Sequence, residues 1–240
     1  MKTFFASLAT GFALLFISCN GGDQNKQTSK EDTTASVAVA PEPAPFNPFK
    51  VMIVKQNVKS YASWLPLFKS NDSLRNAYDV HRFVVGRGIP DSNMVVVINK
   101  IGDFQKAKDF RKLPQLKQMM SKGGVVGTPG ISFAEVIRND STPVDQMDRM
   151  MVSHHVKNFD AWLKTFDAET KETRASYGMM DRAIARDADD SNMVYLVFVI
   201  TDMAKAKARG ESAELKKLMT DAGVEGKTTM TMYKIVEMYR

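Results

Sequence analysis

Cysteine is the residue this chain most nearly lacks: one, Cys19, in 240 positions. A single thiol excludes a disulfide framework and a thiolate metal cage. Histidine is almost as scarce, at His81, His154 and His155. The adjacent pair His154 and His155 points to opposite faces of an extended strand, so the two do not share a metal. Neither a metal nor a cofactor is expected. No serine stands in a Gly-x-Ser-x-Gly elbow. Gly226-Lys227-Thr228 ends like a phosphate loop, but Asp221 stands where the first glycine belongs, and the segment follows a helical pattern and precedes a strand. Asp189-Asp190 falls in a loop before a strand and reads as turn chemistry rather than a catalytic dyad. An excess of one charge is missing too. The 33 basic and 27 acidic residues give +6 and are interleaved, and without a basic stripe carrying stacking aromatics no nucleic-acid partner is expected. At 44% apolar and 25% charged, the composition excludes a collagen-like, fully disordered or multi-span membrane protein.

The one long uncharged run lies at the start. Lys2 precedes 14 uncharged residues at 4–17, and Ser18 sets a small residue before Cys19. The run is shorter than the roughly 20 residues a helix needs to span hydrocarbon, so it reads as a signal peptide, 1–18. Phe16-Ile17-Ser18-Cys19 resembles the lipobox of bacterial lipoproteins, with Phe16 where leucine is commoner. That resemblance implies a lipid on Cys19 and a place in the cell envelope, at the outer membrane facing the periplasm or at the surface. Residues 19–50 hold Gly, Gln, Asn, Ser and Thr, then Pro41, Pro43 and Pro45, and read as a disordered tether.

The remainder is a tandem repeat. Val58-Lys59, Trp64-Leu65 and Phe68 recur as Val156-Lys157, Trp162-Leu163 and Phe166, an offset of 98 residues. After a slip of one, the offset 99 matches Arg75 to Arg174, Tyr78 to Tyr177, the block from Asp91 to Val95 with that from Asp190 to Val194, and Gly124 to Gly223. The copies span 51–138 and 150–238, joined by a polar segment. Each reads as a strand (51–58, 151–156) and then a helix capped by Ser60 or Asn158. On these helices Trp64 and Phe68, or Trp162 and Phe166, share a face, and Pro66 interrupts the first copy. Two strands follow (81–86 and 94–101; 181–186 and 193–200), then one helical stretch to Met120 or Met219, a glycine turn and a last strand (131–137; 230–236). The order β-α-β-β-α-β predicts two ferredoxin-like α+β units. Residues 193–200 are apolar on both faces, whereas helices cover only one side of such a sheet. The two sheets are therefore expected to pack face to face, an α/β barrel formed inside one chain and a monomeric pseudo-dimer.

On His154, Val156, Phe159, Trp162, Phe166, Arg174, Asp190, Asn192, Asp202, Ala206 and Gly223, the chain resembles the dimeric α/β-barrel superfamily and its antibiotic-biosynthesis-monooxygenase-like or cyclase-like members. The resemblance covers nearly all of both copies and implies the fold. Its activities range over oxygenases, isomerases, haem-handling proteins and binding modules, so it implies no single one. Its members also tend to carry a histidine where His154 stands; the first copy has Gln56 there.

His154 alternates with Val152 and Val156 and is expected to point inward, either as a hydrogen-bonded core histidine or as a ligand partner or general base. Arg75 with Tyr78, and Arg174 with Tyr177, either orient a ligand at a cavity mouth or cap a helix end. Trp64 and Trp162 serve as core anchors or as pocket walls. The sixteen methionines fill a core or suit an adaptable pocket. The leading functional reading is a lipid-anchored protein that binds a small apolar or aromatic molecule. Its rivals are a cofactor-independent oxygenase, isomerase or cyclase using His154, Arg174 and Tyr177, and an interaction module without a ligand.

Overall fold

The computed structural model describes residues 46–239, so the signal peptide, Cys19 and the tether up to residue 45 lie outside the described residues. The first repeat runs β1 (Phe49–Val58), α1 (Tyr61–Lys69), α2 (Asp72–Ala77), β2 (Val80–Gly88), β3 (Met94–Ile101), α3 (Phe104–Lys112), α4 (Pro114–Lys122) and β4 (Val125–Asn139). The second runs β5 (Asp148–Val156), α5 (Phe159–Ala168), α6 (Lys171–Ser176), β6 (Met179–Asp187), β7 (Met193–Ile200), α7 (Met203–Glu211), α8 (Ala213–Asp221) and β8 (Val224–Met238). No helix among the described residues is long and apolar enough to cross a membrane.

The eight strands close into one antiparallel barrel in the order β1-β3-β2-β8-β5-β7-β6-β4. Within each repeat the order is that of a ferredoxin-like unit. Two seams join the repeats, β2 with β8 and β4 with β6. The sheets therefore face each other as expected, and they are also hydrogen-bonded edge to edge, which leaves no open strand edge. The 15-residue length of β4 and β8 makes this possible, because each pairs with its own β1 or β5 and also crosses to the other repeat.

Alternation along the strands sorts side chains into three cores. On β7, Val194, Leu196, Phe198 and Ile200 pack under the helices of the second repeat, while Tyr195 and Val197 join Val51, Ile53, Val96, Met151 and Tyr233 inside the barrel. The strand that is apolar on both faces is thus buried on both. A matching core lies under the helices of the first repeat, around Trp64, Val95, Val97 and Phe110.

The helices differ from the reading of one long segment each. The first breaks after Lys69 and after Ala168 in the two repeats, although only the first contains a proline, so Pro66 is not the cause. Pro66 lies within α1, and Arg75 or Arg174 reaches back to the carbonyls that the break exposes. The second stretch breaks at Leu113 and at Ser212. The residue before a proline avoids helical backbone, which ends α3 ahead of Pro114, and the Ser212 hydroxyl accepts from Leu215 N at 3.1 Å to start α8. Asp103, Asn158 and Asp202 cap α3, α5 and α7 in the same way.

One seam depends on a glycine. A Cβ at Gly86 on β2 would lie 2.2 Å from a ring carbon of Tyr233, which is fully buried and lies across that glycine. Gly86→Ala is expected to push the ring aside and lower stability by about 1–3 kcal/mol in chemical denaturation. The double variant Gly86→Ala/Tyr233→Ala should be less destabilised than the two single effects predict. Strict additivity would contradict the packing described.

Candidate functional site

A cavity of about 340 Å³ lies in the second repeat, between the helix-facing side of the sheet and helices α5, α7 and α8. Its walls are mainly apolar: Met150 and Val152 from β5, Met179 from β6, Leu196 and Phe198 from β7, Trp162 and Phe166 from α5, Ala206 from α7, and Leu215, Leu218 and Met219 from α8. Trp162 and Phe166, one helical turn apart, stack with centroids 5.4 Å apart and form one continuous wall.

His154 projects into this space from β5 by the same alternation that directs Met150 and Val152 there. It is 4% exposed, and neither ring nitrogen has a hydrogen-bond partner among the described residues. Its nearest aromatic neighbour is Trp162, edge-on at 5.7 Å. Burial without a partner pushes its pKa down to about 4, so at neutral pH the ring is uncharged and offers the cavity one donor and one acceptor. Of the two readings open in the sequence, a core histidine satisfied by a protein group finds no partner among the described residues. A buried polar group left unpaired costs about 1–3 kcal/mol, a cost a ligand atom can relieve.

Arg174 borders the cavity, but four of its five N–H groups are committed elsewhere. Its Nε and Nη2 donate to the two Asp181 oxygens at 2.7 and 2.5 Å, its Nη1 to Phe166 O at 2.9 Å and to Glu169 O, and its guanidinium lies 4.0 Å from the Phe166 ring centroid. It fastens the end of α5, the capping role. Arg209 from α7, which the sequence reading passed over, is buried beside it. Its Nη2 donates to Glu169 Oε1 at 2.7 Å, and its Nη1 stands 2.9 Å from Glu214 Oε2 without hydrogen-bond geometry. Two buried arginines thus meet two partly buried carboxylates, Glu169 and Asp181, and the exposed Glu214, so neither cation is left without a carboxylate. Lys216 is the remaining cation on the wall and sits at the exposed side.

Tyr177 is not part of the cavity wall; it packs in the core with Arg209 lying over its ring at 4.4 Å. His155 faces the opposite side of β5, between Asp190 and Glu225 at 3.4 and 3.5 Å, and His81 meets Asp79 at 2.8 Å. The structure therefore does not bring the three histidines together. No cluster able to hold a metal occurs among the described residues.

The first repeat keeps the place but little of the space. Its equivalent cavity is about 70 Å³. Gln56 replaces His154, and Phe110 fills the position of Arg209. Trp64 and Phe68 stack at 4.7 Å, and Arg75 bonds Phe68 O and Asp72, each at 2.6 Å, repeating the Arg174 clamp. Tyr78 packs at the same core against Phe110. The sequence signal for Arg209 was available: the offset of 99 sets it opposite Phe110, an arginine for a core aromatic one turn from buried Ala206.

No protein-family model matches the chain, and no curated protein matches it in sequence. Its fold is similar to solved structures. An anthrone oxidase-like protein aligns over 79% of this chain and 92% of its own at 11% identity, with a TM-score of 0.51. A ferredoxin-fold protein of Listeria monocytogenes related to antibiotic biosynthesis monooxygenases aligns over 80% and 97% at 8% identity, TM-score 0.46. A heme-binding protein of Thermus thermophilus aligns over 82% and 95% at 11% identity, TM-score 0.47. The chain is an α/β barrel of paired ferredoxin-like units; identities this low define the fold alone.

The buried imidazole gives stability a pH dependence. Above pH 6.5 neither the folded nor the unfolded chain protonates this ring. Between 6.5 and about 4 only the unfolded chain does, so stability falls as pH falls through that window, by up to about 3 kcal/mol from this residue. His154→Leu should flatten that part of the denaturation midpoint against pH. An unchanged slope would show that the ring is not desolvated.

Proposed function

We propose that this chain is a lipid-anchored protein outside the cytoplasm that binds a small, uncharged, apolar or aromatic molecule in the cavity of its second repeat. The observation that carries the reading is His154, an unpartnered neutral imidazole on the wall of an apolar cavity of about 340 Å³. Ligand pockets begin at about 300 Å³ and combine apolar walls with a few placed polar groups. An anionic ligand fits less well. The two buried arginines are held by Glu169 and Asp181, and charging His154 is opposed by its burial. The favoured occupant is therefore a ring-sized molecule with one hydroxyl or carbonyl for the imidazole.

The same neutral imidazole favours a second reading, cofactor-independent proton-transfer chemistry with His154 as general base. A base whose conjugate acid has a pKa near 4 is weak for that task at neutral pH, and four of the five N–H groups of Arg174 are already given to Asp181 and to backbone carbonyls rather than to the cavity. Binding is the better supported role. A cavity of this size favours a bound small molecule over an interaction module without a ligand site.

Native mass spectrometry of the protein from its natural host should show an added mass that disappears on denaturation. With 1-naphthol as probe, calorimetry should show binding that Ala206→Phe abolishes by filling the cavity. His154→Leu should weaken 1-naphthol by about tenfold and leave naphthalene unaffected. Equal losses for both probes would remove the role assigned to the imidazole. Lipid anchoring rests on Lys2, the uncharged run and Ser18-Cys19. Labelled fatty acid should enter the wild-type chain in its bacterial host and not Cys19→Ala; incorporation in the variant would overturn the anchor.

A further inference from the structure

A second cavity, about 320 Å³, lies within the barrel rather than under its helices. Its floor is apolar, formed by Val51, Ile53, Met151, Ala185, Val197 and Tyr233. Three cations stand around it: Lys100 at the end of β3, Arg149 at the start of β5 and Arg182 on β6. No carboxylate lines it.

Arg149 is the unusual one. It is 3% exposed, its hydrogen bonds among the described residues are from Nη1 to the carbonyls of Gln146 and Asp148, at 2.6 and 3.0 Å, and no described carboxylate forms an ion pair with it. Burial works against its charge and lowers its pKa, with Arg182 acting in the same direction and Tyr233 and Asp148 in the other. Arg182 donates to Thr142 O at 2.7 Å and has no ion pair among the described residues either, while Lys100 rests over the rings of Phe83 and Phe49 at 4.4 and 5.2 Å. Asp148 and Asp140 are close enough to act on Arg149 and Arg182, but neither pairs with them or lines the cavity. Buried charges are normally paired, so a buried arginine facing an apolar chamber without a carboxylate among the described residues calls for an anion supplied from beyond them.

The repeat makes the same point. Arg149 corresponds to Val51, Arg182 to Phe83 and Lys100 to Val199, so each cation replaces an apolar residue of the other copy. An apolar pair at each position closes a barrel; the cations are additions that packing does not ask for.

We infer that the barrel interior is a second binding site, for an amphipathic monoanion whose carboxylate or similar oxyanion head meets Arg149 and Arg182 and whose apolar body lies on Met151, Val197 and Tyr233. It is independent of the helix-side site at His154, which takes uncharged molecules.

The test is calorimetric titration of the full chain with sodium decanoate, with 1-decanol as neutral control. Decanoate is expected to bind at least tenfold more tightly than decanol. Arg149→Met should erase that preference, and Met151→Trp, which fills the chamber, should abolish decanoate binding. Arg182→Gln gives an independent reading should Arg149→Met fail to fold, and is expected to weaken decanoate severalfold. 1-Naphthol titration should be unaltered in Arg182→Gln and Met151→Trp, so that failure of this site is separable from failure of the other. Equal binding of decanoate and decanol, no binding of either, or decanoate binding that survives Met151→Trp would each overturn the proposal.

Discussion

The structure depends on a sheet that is apolar on both sides. Helices in a β-α-β-β-α-β unit can cover one face, and Val194, Leu196, Phe198 and Ile200 are covered that way. Tyr195 and Val197 are left on the other face, where exposure would cost about 25 cal/mol for each Å² of apolar surface. The second copy of the unit removes that surface from water without a second molecule, because a covalent link makes the encounter intramolecular. Edge pairing at β2·β8 and β4·β6 then follows from the length of β4 and β8 and satisfies the backbone groups that two separate sheets would leave open.

A homodimer built from such units is constrained: a residue that shapes a site in one subunit appears in both. Duplication within one chain lifts that constraint, and the two halves have used the freedom differently. Phe110 closes the helix-side space in the first repeat, while Arg209 at the matching position turns to Glu169 and leaves about 340 Å³ open in the second. Gln56 and His154 differ likewise. Meanwhile the clamp formed by Arg75 and Arg174 is kept in both halves, binding carbonyls at the end of the first helix. A feature kept in both copies and committed to backbone carbonyls serves the fold. A feature present in one copy and lacking a partner serves something else.

That distinction also explains what the sequence made legible. The repeat, its strand order and the face-to-face sheets followed from internal similarity and from one strand's double-sided hydrophobicity, both local patterns. The inward direction of His154 followed from alternation. The committed state of Arg174 did not, because its partner Asp181 and the carbonyls of Phe166 and Glu169 meet it only after α5 breaks, and no proline marks that break in the second copy. Arg149 was equally opaque. At the start of a strand next to a polar linker it reads as solvent-facing, and only barrel closure places its guanidinium indoors.

The two cavities differ in the commitment of their charges rather than in size. Beneath the helices of the second repeat, every buried cation already faces a carboxylate, and the polar group there that faces none is a neutral ring that resists protonation. Inside the barrel the order is reversed, with cations present and carboxylates absent from the walls. Coulomb interactions strengthen as the dielectric falls, so an uncompensated arginine in an apolar chamber distinguishes an anion from its neutral analogue far better than the same arginine at the surface could. One barrel therefore carries two opposite preferences, set by which buried charges were given partners when the halves diverged.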